Sequence, residues 1–397
     1  MDWIALTKKW LLIPSVSFLI LLLAGCWDRV EINDLAIVVG IGLHKTDDDL
    51  IELSMQMVNP SSMISGQGGS GGQQGNGQLT TVEKAVGKTF YDARSKLQEK
   101  ISRKLFSGQN RVVFISEKMA EKGIRKHIDF LARHPKPRLR SFVFVTKESP
   151  AEFFKVMPNL EASSAETARE LASLKIGMSV EAKDLLQMTS DESDNAALPV
   201  LEIEEEPPNT YGLRVKGTAV FKNGKMAGQL DDSVTRGLLW IRNEIENASV
   251  TIKPEDAKNY ISFNIFEENT QLIPSIKNGN WKMTVKINSV DDAVENETKL
   301  NLINPDTVNR LEKQLEKRIN KRIRKALKLV QKDMQSDILG FGEAFHRHYP
   351  DKWAKVKDNW NEKFSEITVE IKSDVKIKRP GRSASPPAVP EDKVINE

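Results

Sequence analysis

The chain has 397 residues and one cysteine, Cys26. A single thiol excludes an intramolecular disulfide and any cysteine-built metal centre. Histidine is scarce as well, with five in all. His346 and His348 stand two apart, so a helix would point them in different directions, and no cysteine or carboxylate pair completes a ligand set. His134 falls in a proline-rich loop with Arg138 and Arg140 and reads as solvated. No Ser-His-Asp arrangement occurs. The adjacent Asp231 and Asp232 stand where a helix N-cap and first turn favour acids, rather than as a catalytic pair. The chain is therefore expected to be no enzyme and to need no cofactor or metal. An excess of one charge is also missing, since 58 Lys and Arg meet 55 Asp and Glu. A net charge of +3 gives no global drive toward nucleic acid. Residues 10–24 form an apolar run that falls short of the ~20 residues a bilayer-spanning helix needs, and Pro14 interrupts it.

What the sequence does contain begins at its N-terminus. Lys8 and Lys9 precede the apolar run, which ends in Leu23-Ala24-Gly25-Cys26 and turns polar at Asp28, Arg29 and Glu31. A charged start, a short apolar stretch and small residues before a cut site make an export signal. Leu-Ala-Gly-Cys resembles the bacterial lipobox. That resemblance implies cleavage between Gly25 and Cys26 and a diacylglyceryl thioether on the Cys26 sulfur. Ala24 and Gly25 give a membrane-surface peptidase the uncrowded backbone it needs. Two acyl chains suffice for stable anchoring, so the expectation is a signal peptide over 1–25 and a mature chain moored at the outer face of a membrane. Trp27 beside the lipid fits headgroup depth and fits packing on the first domain equally well.

Residues 35–43 read as a buried strand, and 50–58 alternate polar and apolar residues as its partner. Residues 65–78 are nearly all Gly, Gln, Ser and Asn, a flexible loop rather than a phosphate-binding one, because no buried strand leads directly into it and no Gly-Lys-Ser/Thr closes it. Thr80 and Glu83 have capping-box spacing, and Val82, Val86, Phe90, Ala93, Leu97, Ile101 and Leu105 recur at helical intervals, which predicts one helix. Strands over 111–116 and 141–146 alternate with helices over 119–133 and after Pro150. This pattern predicts a mixed α/β domain over 26–186.

The stretch 187–210 loses periodicity and is rich in acids, which predicts a linker or small connecting module. A C-terminal domain over 211–379 opens with a hairpin turning at Asn223-Gly224. A helix over 233–242 follows, then strands at 249–253, 260–266 and 281–287. A long helix after Asn304-Pro305 carries apolar residues from Val308 to Ile338, and a helical region bears Trp353 and Trp360. A last strand spans 367–378. The expected fold class is α+β, multi-domain, with the C-terminal antiparallel sheet covered by long helices. The tail 380–397 reads as disordered.

The long helix is the most distinctive surface. Between Pro305 and Gln335 it carries ten Lys or Arg and four acids. Lys317, Lys321, Arg324, Lys328 and Lys332 recur every three or four residues and form one stripe. Like charges at that spacing oppose the helix by about 0.2–0.5 kcal/mol per pair. The stripe is either a solvated face, neutralised by the acidic segment 202–206, or a docking surface for anionic lipid or an acidic subunit. An exported chain would not meet nucleic acid.

Four stretches in order resemble the germinant-receptor C-subunit family, Ger(x)C. They are Gly25-Cys26-Trp27-Asp28-Arg29 with Val39-Gly40-Ile41-Gly42; Gly217-Thr218-Ala219-Val220-Phe221-Lys222 with Gly228-Gln229-Leu230-Asp231; Thr235-Arg236-Gly237-Leu238-Leu239-Trp240; and Asp337 with Gly340-Phe341-Gly342, Trp360 and Phe364. His44 stands where family members often have Asp, and the glycine-rich loop resembles an insertion. The resemblance implies a non-catalytic lipoprotein on the outer surface of the spore inner membrane. It would assemble with a membrane-spanning A subunit and a transporter-like B subunit in a complex that responds to small nutrients. Which subunit touches the nutrient is open. A solute-binding lipoprotein serving a transporter is the alternative, and it would need two similar lobes where the two halves here look unlike.

Overall fold

The computed structural model describes residues 31–58, 79–133, 138–157, 160–190, 194–206, 210–255, 257–379 and 394–395. Gly25, Cys26 and Trp27, the loop 65–78 and His134 lie outside the described residues.

The first half is organised by β1 (Leu35–Lys45), whose apolar run is buried on both faces. It pairs with β2 (Ile51–Val58), which pairs with β3 (Thr80–Gly87), both antiparallel. Helix α1 (Phe90–Lys100) and the short β4 (Lys104–Phe106) lead to β5 (Val112–Ser116). The next elements are α2 (Glu117–Lys122), α3 (Arg125–Arg133), β6 (Phe142–Thr146), α4 (Pro150–Lys155), α5 (Ser164–Ser173) and α6 (Ala182–Ser190). Strand β7 (Asn195–Glu206) then enters the same sheet, followed by β8 (Thr210–Lys222) and β9 (Lys225–Leu230). The spatial order is β3-β2-β1-β5-β6-β7-β8-β9, with β4 also on β1. Strands β1, β5, β6 and β7 are parallel and the flanking strands antiparallel. Gly40 lets α4 lie flush on β1, because a Cβ there would stand 2.5 Å from the Phe154 ring.

The second half begins with α7 (Asp232–Arg242). A four-stranded sheet follows, built from β10 (Ser249–Ile252), β11 (Ile261–Lys277), β12 (Asn280–Asn296) and, last in the chain, β13 (Thr368–Arg379). Between β12 and β13 lie α8 (Pro305–Leu327), a π-helical turn (Lys328–Asp333), α9 (Phe341–His348), α10 (Pro350–Trp353) and α11 (Trp360–Glu366). Phe114, Phe144, Phe153 and Phe154 fill one face of the large sheet. The core on its other face runs unbroken from Ile41 and Val143 through Phe221 and Trp240 to Phe263 and Val285 of the small sheet. No helix among the described residues is long and apolar enough to cross a membrane.

The α+β class holds, and several expected elements differ. The single helix expected from Thr80 is a strand followed by a helix. Val82 and Val86 belong to β3, where pairing with β2 satisfies the backbone, and Thr89, not Thr80, caps α1 by accepting from the Asp92 N–H at 3.1 Å. The helix expected over 119–133 breaks at Gly123, whose φ of 119° leaves the helical region. The expected linker 187–210 holds the end of α6 and all of β7, whose residues 195–201 are buried. Two-sided burial in the sheet is what erased the alternation there. The small sheet is antiparallel except for β13, which runs parallel to β12. Of the tail, Ile395 pairs with the backbone of Lys299 and Asn301.

Candidate docking surface

Helix α8 starts where its chemistry directs. The Asn304 side chain accepts the N–H groups of Asp306 (2.9 Å) and Thr307 (3.1 Å), and Pro305 occupies the first helical position. Leu311, Leu315, Ile319, Ile323 and Ala326 are buried along one face. That face meets α7, where Gly237 permits unusually close packing. A Cβ at Gly237 would press on the Arg322 carbonyl, with the carbonyl carbon 2.7 Å away. The glycine of the Thr235-Arg236-Gly237 stretch is thus a packing requirement between two helices. Asp231 caps α7 by accepting the Val234 N–H at 2.8 Å.

The polar face of α8 segregates its charges. Glu312 accepts the Ile377 N–H at 3.0 Å and pairs with Lys376, and Glu316 accepts the Val375 N–H at 3.5 Å. The middle of the helix therefore spends its acids on β13. Lys317, Lys321, Arg324 and Lys328 are all exposed, and none pairs with a carboxylate among the described residues. Lys325 is tied to Asp231 at 3.0 Å. Half-buried Arg322 is held below the ordinary arginine range by burial and then by Arg236 and Arg318 nearby. Lys317 and Lys321 line a 370 Å³ depression with Lys253, Arg318 and Tyr260. Lys332, displaced by the π-helical turn, instead donates to the Ser365 carbonyl at 2.6 Å.

The acidic segment 202–206 does not neutralise this stripe as the sequence suggested. Glu202 pairs with Lys216 (2.8 Å) and Glu204 with Arg214 (3.1 Å), both on the neighbouring strand β8. Cross-strand register brought these charges together, and spacing along the chain could not reveal it.

Sequence reasoning left Asp337 without a role. The carboxylate is buried and accepts four N–H groups, from Leu339 (3.2 Å), Phe341 (3.2 Å), Gly342 (2.6 Å) and the Trp360 indole (2.8 Å). Burial pushes its carboxyl above the ordinary range against the pull of these donors. Around it pack Phe341, Phe345, Trp353, Trp360 and Phe364. The ordered motif Asp337…Gly340-Phe341-Gly342…Trp360 is therefore one structural knot that holds α9 and α11 behind the basic helix. His346 lies against Trp353, and His348 Nδ1 sits 2.9 Å from the Ala344 carbonyl. Among the described residues no cluster of His, Cys, Asp and Glu could hold a metal.

Comparison with known proteins divides the chain inside the large sheet, between β7 and the middle of β8. The family described as spore germination protein N-terminal domain matches residues 28–203, and the spore germination B3/GerAC-like C-terminal family matches residues 216–381. The chain is 26% identical to spore germination protein KC of Bacillus subtilis (strain 168), covering 96% of this chain and 98% of that protein. It is 25% identical to spore germination protein B3 of the same organism, covering 91% and 95%. The crystal structure of the GerBC protein shares the fold, with a TM-score of 0.58 at 17% identity over 85% of this chain and 96% of that one. With both halves matched in order along the chain, this protein belongs to the GerAC-like family of spore germination proteins, the C-subunit family of spore germinant receptors.

Proposed function

We propose that this protein is a non-catalytic, lipid-anchored subunit of a nutrient germinant receptor. Cleavage after Gly25 and lipidation of Cys26 moor it on the outer face of the spore inner membrane, where it assembles with membrane-spanning A and B subunits. Tethering confines association to the membrane plane and raises the effective concentration of its partners. One observation carries the docking role: Lys317, Lys321, Arg324 and Lys328 stand exposed and pair with no carboxylate among the described residues, while Glu312 and Glu316 of the same helix are turned onto β13. Such a stripe suits an acidic surface on a neighbouring subunit, and complementary charge speeds and orients encounter. A solute-capturing protein would need two like lobes, whereas the two sheets here have nine and four strands.

The test is charge reversal at Lys321→Glu, Arg324→Glu and Lys328→Glu together. The triple variant should fold normally, because all three side chains are exposed, and should lose co-purification with the other subunits from spore membranes. Unchanged assembly and unchanged nutrient-triggered germination would refute the docking role.

A further inference from the structure

A second cationic site lies at the far end of the chain's first half. Strands β1, β5 and β6 run parallel from one edge of the large sheet; β5 and β6 start level, with Val112 opposite Phe142, while β1 starts five residues earlier, Gly40 standing opposite Val112. Arg111 immediately precedes β5, and Arg138 and Arg140 precede β6. With Arg169 and Glu166 from α5 and Glu181 beside Phe142, they line a 410 Å³ cavity. Both acids are already engaged. Glu166 takes Arg111 and the Arg169 Nε (2.9 Å), and Glu181 takes Lys183 at 2.6 Å. Arg138 and Arg140 are exposed and pair with no carboxylate among the described residues. Four arginines and two glutamates line the cavity, a surplus of positive charge, and Arg111 is held below the ordinary arginine range by burial and then by the charges of Arg169 and Arg138. Guanidinium groups gathered in this way match the oxygens of a phosphate.

The chain itself indicates where such a phosphate would come from. β1 enters at this same edge, and Leu35 lies nine positions after Cys26. Fully extended, that stretch reaches no more than roughly 30 Å, and the turn at Ile32–Asp34 shortens it. Apolar side chains are exposed at the edge: Ile32 is 70% exposed just before β1, and Leu139, between Arg138 and Arg140, is 45% exposed. Lys104, opposite Leu35, is exposed as well. An apolar side chain set between cations, as Leu139 is between Arg138 and Arg140, suits the boundary between headgroups and acyl chains.

We propose that this edge faces the membrane and that the arginine cavity takes the phosphate of an anionic phospholipid headgroup. The orientation rests on the anchor at Cys26, but the binding test does not use it. The full chain, in a neutral detergent, is titrated calorimetrically with glycerophosphoglycerol, glycerophosphocholine and inorganic phosphate. The anionic headgroup should bind saturably, and more tightly than the choline one. An Arg138→Gln/Arg140→Gln variant, altered only at exposed positions, should keep its thermal unfolding and bind at least about tenfold more weakly. Equal binding by the two proteins, or no saturable binding, overturns the proposal. Inorganic phosphate binding as tightly as the headgroup makes this a free-phosphate site and overturns the membrane occupant. The mass of the mature N-terminus reports the anchor separately, so a missing lipid and an empty cavity give different results.

Discussion

Replacing Asp337 by Asn keeps the side chain's shape and removes one oxygen. In the native fold Oδ1 accepts from Leu339 and Phe341 and Oδ2 from Gly342 and the Trp360 indole. With four donors converging and no acceptor in the set, the carboxyl has no place for a proton and acts as an ionised acceptor. However the amide of the Asp337→Asn variant turned, its NH2 would face two N–H donors. Two bonds to a charged group, about 1.5–3 kcal/mol each, are lost. The neutral amide recovers part of the cost of burying the charge, which leaves a net destabilisation of about 3–4 kcal/mol. Guanidinium unfolding followed by tryptophan emission is the assay, since Trp281, Trp353 and Trp360 cluster at the site. A loss below about 1 kcal/mol would refute the reasoning, because it would mean that the carboxyl is neutral in the fold and the four donors are not bound to a charge.

Other expectations are narrower. Gly237→Ala places a Cβ against the Arg322 backbone, which cannot swing away. Overpacking of about 1–3 kcal/mol opposes the ~1 kcal/mol gained in helix propensity, so denaturant unfolding should show a net loss of up to roughly 2 kcal/mol and no gain. Asp291 is buried, and burial pushes its carboxyl up to about 6, opposed by the Ser289 hydroxyl and assisted by Asp292. Between its ordinary value of 3.8 and about 6 the folded chain holds a proton that the unfolded chain has released. This contribution to stability is complete below that window and is lost as pH rises through it. Thermal melts across this range should therefore show that Asp291→Asn flattens the decline and stabilises the neutral-pH protein by about 1–3 kcal/mol; an unchanged pH profile would contradict the assignment.

Local chemistry was legible wherever one element carried its own signal. The Asn223-Gly224 turn, with φ of 53° and 71°, closes the hairpin expected of it, and Asp231 and Asn304 cap the helices they precede. The hairpin of β11 and β12 turns at Asn278-Gly279, also at positive φ. The alternation at 260–266 and 281–287 does not point to that turn, because β11 and β12 run well beyond those short segments. Residues 195–206 were misread for a different reason. Their burial depends on pairing with β6, which is distant in sequence, and the acids at their end answer to lysine and arginine across the pair with β8. The basic stripe was legible as a pattern of charge. Its lack of carboxylate partners among the described residues was not, since that depends on Glu312 and Glu316 turning toward β13, a strand some sixty residues later.

Docking and orientation at the membrane both start from the sulfur of Cys26. Mass spectrometry of the protein extracted from spore membranes should find an N-terminal peptide that begins at Cys26 and carries a diacylglyceryl group. An unmodified Cys26 still joined to Gly25, in protein recovered without membrane, would contradict it.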